Sequence, residues 1–323
     1  MRDAYSKFEN AELKLYAISY DDQQVLREFT EKQKIPFPLL SDIDSRVIRE
    51  YGILNDRIES SDAFLYGIPY PGVYVTDENG VVIAKFFHDT YKKRDSPEVL
   101  IDAALGRVEV DPDTPSATTA DSEVKIRASV HGGRGTIRQG IRRQLVIRFE
   151  PTPGFHLYGE PVPDGMVATR VDIKGPPGLV VEDPILPPTK PLELKNLGVE
   201  LQVYSGVFDI IVPFYADGRL ASEVRPLDLE TAEVEITVRY QACDDHTCLL
   251  PKTETLTLDL PLDVIDVPAL GLHMGHGQRE GNFNATPHLR RMILRVLRRS
   301  PLDLLRFVVK SVRLTLAARR RHG

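Results

Sequence analysis

The hydrophobic pattern of this chain changes period once, at the polar stretch Gly106–Glu123, and no single layer of structure satisfies both patterns. Before that stretch, helix-like and strand-like segments alternate. After it come short period-two runs punctuated by glycine and proline. At 323 residues the chain is long enough for two domains, each with its own core. The stretch itself is rich in Pro, Thr, Ser and Asp without periodicity and reads as a linker. The expected division is a first domain over 1–106, a linker over 107–122, a second domain over 123–266, and a polar loop with basic helices over 267–323.

In the first domain, Met1–Asn10 carries a helical pattern and Leu13–Tyr20 a strand pattern. Gln23–Lys34 is expected as an amphipathic helix turning Val25, Leu26 and Phe29 inward. Ser45–Tyr51 gives another short helix, stopped by Gly52. Val73–Thr76 and Val81–Phe87 form a hairpin whose turn is supplied by Asn79-Gly80. Ser96 and Pro97 open a last helix that runs to Leu105. This is an α/β layer. The second domain offers strand runs at 124–130, 144–150, 168–173, 199–203, 207–214, 233–242 and 253–262, with no convincing helix between them. That pattern argues an all-β sandwich. The prolines clustered from Pro176 to Pro191 read as irregular connection.

The only cysteines, Cys243 and Cys248, lie between the last two of these runs, in Tyr-Gln-Ala-Cys-Asp-Asp-His-Thr-Cys-Leu-Leu-Pro from Tyr240 to Pro251. Alternation on both sides of a short polar connection makes a β-hairpin, with the two thiols flanking its turn at disulfide distance. A bridge there closes a very short loop, worth roughly 2 kcal/mol by chain entropy. That is a weak staple, so a pair that opens and closes is the more informative reading. Thiol–disulfide exchange needs an accessible sulfur with a tunable pKa. His246, once protonated, favours a thiolate, while Asp244 and Asp245 oppose it. The alternatives are a fixed bridge, two inert thiols, or a metal held by both thiolates and His246, for which no fourth ligand lies nearby.

Two resemblances follow. Leu15-Tyr-Ala-Ile-Ser-Tyr-Asp-Asp, Ile35-Pro-Phe-Pro-Leu-Leu-Ser-Asp, Tyr51-Gly-Ile and Tyr70-Pro-Gly-Val-Tyr-Val-Thr-Asp-Glu-Asn-Gly make 1–106 similar to the redoxin family, of the alkyl hydroperoxide reductase/thiol-specific antioxidant type. The resemblance implies a thioredoxin-like fold and places Pro71 where that fold keeps a cis-proline beside its active site. The family's first strand and reactive cysteine would lie ahead of Met1, so the fold is expected to be incomplete. Residues 1–106 contain no Cys and therefore no thiolate, so this half is not expected to act as a cysteine peroxidase by itself.

Pro153-Gly-Phe-His-Leu-Tyr158, the Val203-Tyr204 run with the following strand to Pro213, and Tyr240–Pro251 resemble the N-terminal domain of the thiol:disulfide interchange protein DsbD. That resemblance implies an immunoglobulin-like sandwich whose hairpin cysteines pass electrons to a thioredoxin-like redox partner. By position, Cys243 and Cys248 would be the redox pair. Phe155, His156 and Tyr158 would flank it, and the loop at Asn196–Leu197 would be the flap covering it. The resemblance also implies a periplasmic setting, whereas the first twenty residues, charged and amphipathic, show no secretory signal, which reads as cytoplasmic.

The net charge of −6 is uneven: residues from Leu289 onward carry +10, leaving −16 on the rest. Arg291, Arg295 and Arg298 share one helical face opposite Met292, Ile293, Val296 and Leu297, and a second such segment opens with Ser300, Pro301 and Asp303. Cationic amphipathic helices suit an anionic membrane surface, or equally the acidic remainder of this chain. No apolar run reaches the roughly 18 residues needed to span a bilayer. Nucleic acid is not an expected partner, since no recognition fold or aromatic stacking motif accompanies the charge. His273 and His276 have a metal-ligand spacing but sit in a glycine-rich loop, and no cofactor or metal is expected. The sequence therefore points to a thiol–disulfide oxidoreductase or electron relay. Its alternative is a non-catalytic binding module with a structural disulfide and a vestigial redoxin half.

Overall fold

The computed structural model describes residues 1–59, 66–88, 92–194, 199–222, 225–244, 247–264, 286–299, 301–302, 305 and 308–309. It forms two compact units, one built on Met1–Glu109 and the other beginning at Val110.

In the first unit a 3-10 turn, Arg2–Ala4, leads into α1 (Tyr5–Asn10), followed by β1 (Ala17–Ser19), α2 (Gln23–Gln33), β2 (Leu39–Ser41), α3 (Arg46–Glu50), β3 (Gly72–Thr76), β4 (Val82–Phe87), the two-residue β5 (Arg94–Asp95) and α4 (Pro97–Leu105). β1 and β2 pair in parallel and β3 and β4 antiparallel, as two separate two-stranded ribbons. The β3–β4 turn forms as expected. Asp77 Oδ1 accepts from the Asn79 and Val81 N–H groups, and Gly80 takes φ +81°, which glycine adopts without strain. α2 is capped by Asp22, whose carboxylate accepts the Val25 N–H at 2.9 Å. Its expected inward face is only partly realised. Leu26 is buried, but Val25 and Phe29 stay 48% and 50% exposed. A two-stranded ribbon is too narrow for a helix to bury its whole apolar face. The strand expected over Leu13–Tyr20 shortens to Ala17–Ser19 for the same reason: a strand needs a partner, and only those three residues have one.

The second unit is β-rich. It contains β6 (Ser116–Thr118), β7 (Val124–His131), a 3-10 turn at Gly133–Gly135, β8 (Ile141–Pro151), β9 (His156–Tyr158), β10 (Arg170–Lys174), β11 (Leu179–Val181), β12 (Lys190–Leu194), β13 (Val199–Ser205), β14 (Phe208–Ala216), β15 (Thr231–Tyr240), β16 (Ala242–Cys243) and β17 (Lys252–Pro261), with α5 at Thr286–Arg299. One sheet follows the order β11-β14-β8-β7-β6, a second β10-β15-β17, and a third β12-β13-β9-β16. Period-two alternation sends Ile126 and Ala128 of β7, Ile147 and Phe149 of β8, Ile210 and Val212 of β14, Val234 and Ile236 of β15, and Leu258 of β17 into one buried core. Each Val, Leu, Ile or Phe among them, fully buried, contributes about 1.5–3 kcal/mol relative to exposure.

Two expectations change here. Part of the stretch read as a linker is structured: β6 pairs antiparallel with β7, and Thr114 is buried. The proline-rich connection holds β11 and β12. Pro191 lies on β12, opposite Gln202 of β13, and β12 is at a sheet edge, where a missing N–H is tolerated. The second basic helical segment, from Ser300, lies largely outside the described residues, as do His273 and His276. Among the described residues, no helix is long and apolar enough to cross a membrane.

Candidate functional site

After Tyr240 the chain leaves the β15–β17 ladder and joins a different sheet. β16 pairs antiparallel with β9, setting Cys243 opposite His156 and Ala242 opposite Leu157. Gln241 makes the crossing possible. Its buried side chain accepts the Val167 N–H at 3.0 Å and donates to the Leu249 carbonyl, also at 3.0 Å. Cys248 then returns opposite Cys243 as an antiparallel bridge, with the Leu249 N–H on the Ala242 carbonyl at 2.9 Å. The expected cross-strand cysteine pair is therefore present, although the pair sits one crossing beyond the long hairpin ladder.

Both cysteines are free thiols, and they differ in environment. Cys243 is 1% exposed, packed with Tyr158, Leu201 and Val203 and flanked by Val162, Met166 and Leu192. Cys248 is exposed. The Tyr158 hydroxyl reaches both sulfurs, donating to Cys243 Sγ at 2.9 Å and lying 3.3 Å from Cys248 Sγ. Burial, reinforced by the hydrogen bond with Cys248, pushes the Cys243 thiol up to about 12, while the Tyr158 hydroxyl and the Leu249 N–H pull the other way. Tyr158 itself is pushed above its ordinary value, chiefly by burial and then by the two sulfurs.

Of the predicted flanking residues, His156 and Tyr158 come together with Cys243, the two rings meeting edge-on at 5.9 Å. Phe155 packs on the main core of the unit instead of the cluster around Cys243. His246 and Leu197 lie outside the described residues. Pro71 belongs to the first unit, and the Tyr70–Pro71 peptide is trans. The one cis peptide among the described residues is Glu160–Pro161. Trans is the default that an X–Pro bond takes unless its surroundings favour cis. Among the described residues, no group of three or more His, Cys, Asp or Glu side chains is placed to hold a metal ion.

Sequence reasoning missed three contributors. Gln241 braces the crossing, and its signal was the Tyr-Gln step before the first cysteine. Asp121 accepts from both Tyr240 and Lys252 at the foot of the cysteine loop. Glu123 adds a second contact to Lys252 at 2.9 Å. Asp121 and Glu123 lay in or beside the supposed linker, where nothing distinguishes a structural carboxylate from a solvated one.

Comparison with known proteins agrees with both resemblances. Residues 1–85 match the model of the AhpC/TSA family, and residues 134–260 match that of the thiol:disulfide interchange protein DsbD, N-terminal. Curated relatives of the first region include chloroplastic peroxiredoxin Q of Sedum lineare, 36% identical over 105 residues covering 32% of this chain and 50% of that protein. Peroxiredoxin Q of Oryza sativa subsp. japonica is 42% identical over 82 residues, 25% of this chain and 34% of that one. The chain thus spans half or less of the length of these relatives. Among solved structures, the N-terminal periplasmic domain of ScsB from Proteus mirabilis aligns with 46% of this chain and 52% of its own, at 16% identity and a TM-score of 0.32. The reduced DsbD N-terminal domain of Neisseria meningitidis aligns with 46% of this chain and 85% of its own, at 15% identity and a TM-score of 0.25. The chain joins a thioredoxin-like segment to a β-rich domain similar to the DsbD N-terminal domain, and both families belong to thiol–disulfide redox chemistry.

Proposed function

We propose that the second unit is a thiol–disulfide oxidoreductase that relays electrons through Cys243 and Cys248. One observation carries this reading: an exposed and a buried sulfur stand opposite one another, with a single hydroxyl in reach of both. Exposed Cys248 is the attacking residue. Its thiolate attacks a disulfide of a thioredoxin-like partner, forming a mixed disulfide and releasing one partner thiolate. Cys243 then gives up its proton and attacks the Cys248 sulfur. The Cys243–Cys248 bond forms, the mixed disulfide breaks, and the second partner thiolate leaves. Two electrons pass to the partner and two protons end on its thiols; the reverse sequence reduces the pair.

The asymmetry of burial suits these roles. A raised thiol pKa keeps Cys243 protonated and unreactive toward outside disulfides until the mixed disulfide sits beside it. The Tyr158 hydroxyl is placed to stabilise the thiolate during that second step.

Paired single variants test the assignment with a disulfide-bearing thioredoxin as the probe. Cys243→Ser should accumulate a mixed disulfide through Cys248, visible as a mass adduct that dithiothreitol removes. Cys248→Ser should accumulate none. Equal trapping by both variants, or by neither, contradicts the assignment.

We further propose that α5 rests on an anionic membrane surface. Arg290, Leu294, Leu297 and Arg298 are exposed along it, Arg298 also pairing with Asp228 at 3.2 Å, and such a row of cations and leucines suits an anionic lipid boundary.

A further inference from the structure

Both strands that carry the cysteine loop end on one buried carboxylate. Tyr240 and Lys252 face each other as the terminal pair of the β15–β17 ladder, and the chain between them holds both cysteines. The Tyr240 hydroxyl donates to Asp121 Oδ2 at 2.5 Å, and Lys252 Nζ donates to the same oxygen at 2.8 Å. The Glu123 N–H donates to Asp121 Oδ1 at 2.9 Å. The Asp121 side chain is only 2% exposed, so removing any one donor leaves a desolvated charge short of a partner. Asp121 lies outside the hairpin altogether, in the segment just ahead of β7.

We infer that Asp121 is a positioning residue for the redox pair: it holds both arms of the cysteine loop on one buried carboxylate and so fixes the spacing of Cys243 and Cys248. The inference rests on the exchange reading above and adds a residue that neither resemblance assigns. Only Gln241 and Ala242 separate Tyr240 from Cys243, and the Gln241 amide ties that arm across to Leu249, the residue after Cys248. The clamp at the foot and the amide brace above it tie the two arms of the loop together at Tyr240 and Lys252 and again at Gln241 and Leu249. A fixed spacing raises the effective concentration of each thiol for the other and favours the intramolecular disulfide.

The test uses the full chain, in wild-type form and as Asp121→Asn and Tyr240→Phe, equilibrated with glutathione. The reaction read is protein dithiol plus glutathione disulfide giving protein disulfide plus two glutathione molecules. A hydrogen bond to a charged group sets the scale, so Asp121→Asn should lower the equilibrium constant about tenfold, with Tyr240→Phe shifting it the same way by less. Hydrogen exchange across 241–251 should speed up in both variants, while the β7–β8 ladder is unchanged. A carboxylate that merely stabilises the sandwich would lower the melting temperature and leave the equilibrium constant alone; that result overturns the inference. Tyr240→Phe keeps the Asp121–Lys252 pair and carries the test if Asp121→Asn does not fold. Failure of the wild-type chain to form the disulfide at all would sink the exchange reading instead. The clamp would then stand or fall on whether exchange across 241–251 responds to Tyr240→Phe.

Discussion

Cys243 and Asp121 are buried ionisable groups with opposite consequences for pH. Burial lifts the Cys243 thiol to about 12, above its ordinary 9.0. A raised thiol pKa contributes stability that is complete below the ordinary value and is lost as pH rises through the folded one. Asp121 behaves inversely. Burial acts to raise it, but Lys252, Tyr240 and the Glu123 N–H hold it well below its ordinary 3.8. Its contribution is present above 3.8 and disappears as pH falls toward its lowered folded value. In acid denaturation followed by circular dichroism, Asp121→Asn should therefore lower stability near neutrality and flatten its fall below that pH. Parallel acid limbs in the two proteins would show that the carboxylate is not held as described. For Tyr158→Phe, the resolving step should slow by about tenfold near neutral pH, because one hydrogen bond to the Cys243 thiolate is lost. Alkylation of Cys248 in the same variant should change far less. Stopped-flow decay of a preformed mixed disulfide separates these outcomes.

Among the elements, the long strands of the sandwich carry its stability. Phe149 on β8 is fully buried and stacks on Phe208 at 4.7 Å with ring planes 3° apart. Truncation to alanine should cost about 3–5 kcal/mol, read as a shift in the denaturant midpoint of the second unit. A loss under about 1 kcal/mol would mean that this core relaxes freely. Strands of this kind were legible in the sequence. β15 and β17 bury one face and expose the other, so period two is written into them, while β7, β8 and β14 bury both faces over part of their length and read as apolar runs. The elements that build the site were not. β9 has three residues, all buried, and β16 has two, so neither can show alternation. β12 contains a proline that only an edge position accommodates. The cysteine pair and Tyr158 were found from motif and resemblance. Asp121 was hidden because a carboxylate in a Ser/Thr/Asp-rich stretch gives no local sign of the tyrosine and lysine that meet it from far along the chain. Val25 and Phe29 erred in the other direction: helical periodicity named an apolar face without saying whether the sheet beneath was wide enough to cover it.

At the scale of the whole molecule, chemistry and charge are segregated. Both cysteines belong to the second unit and residues 1–106 have none, so the proposed exchange is assigned to the second unit. The positive charge gathers in the last residues, from Leu289 on, against an acidic remainder. Co-sedimentation with phosphatidylserine vesicles should retain the chain at low salt and release it as salt screens the attraction. Binding should fall several-fold for Arg290→Glu with Arg298→Glu, at about 1 kcal/mol per basic residue near the surface. Equal binding to neutral phosphatidylcholine vesicles would argue against the electrostatic reading. The proposed relay requires Cys243 and Cys248 to form a working couple, and redox titration in glutathione buffers measures that directly. A midpoint between about −120 and −270 mV, the range of exchange proteins, is predicted; one below about −300 mV, where structural bridges lie, would contradict the electron relay.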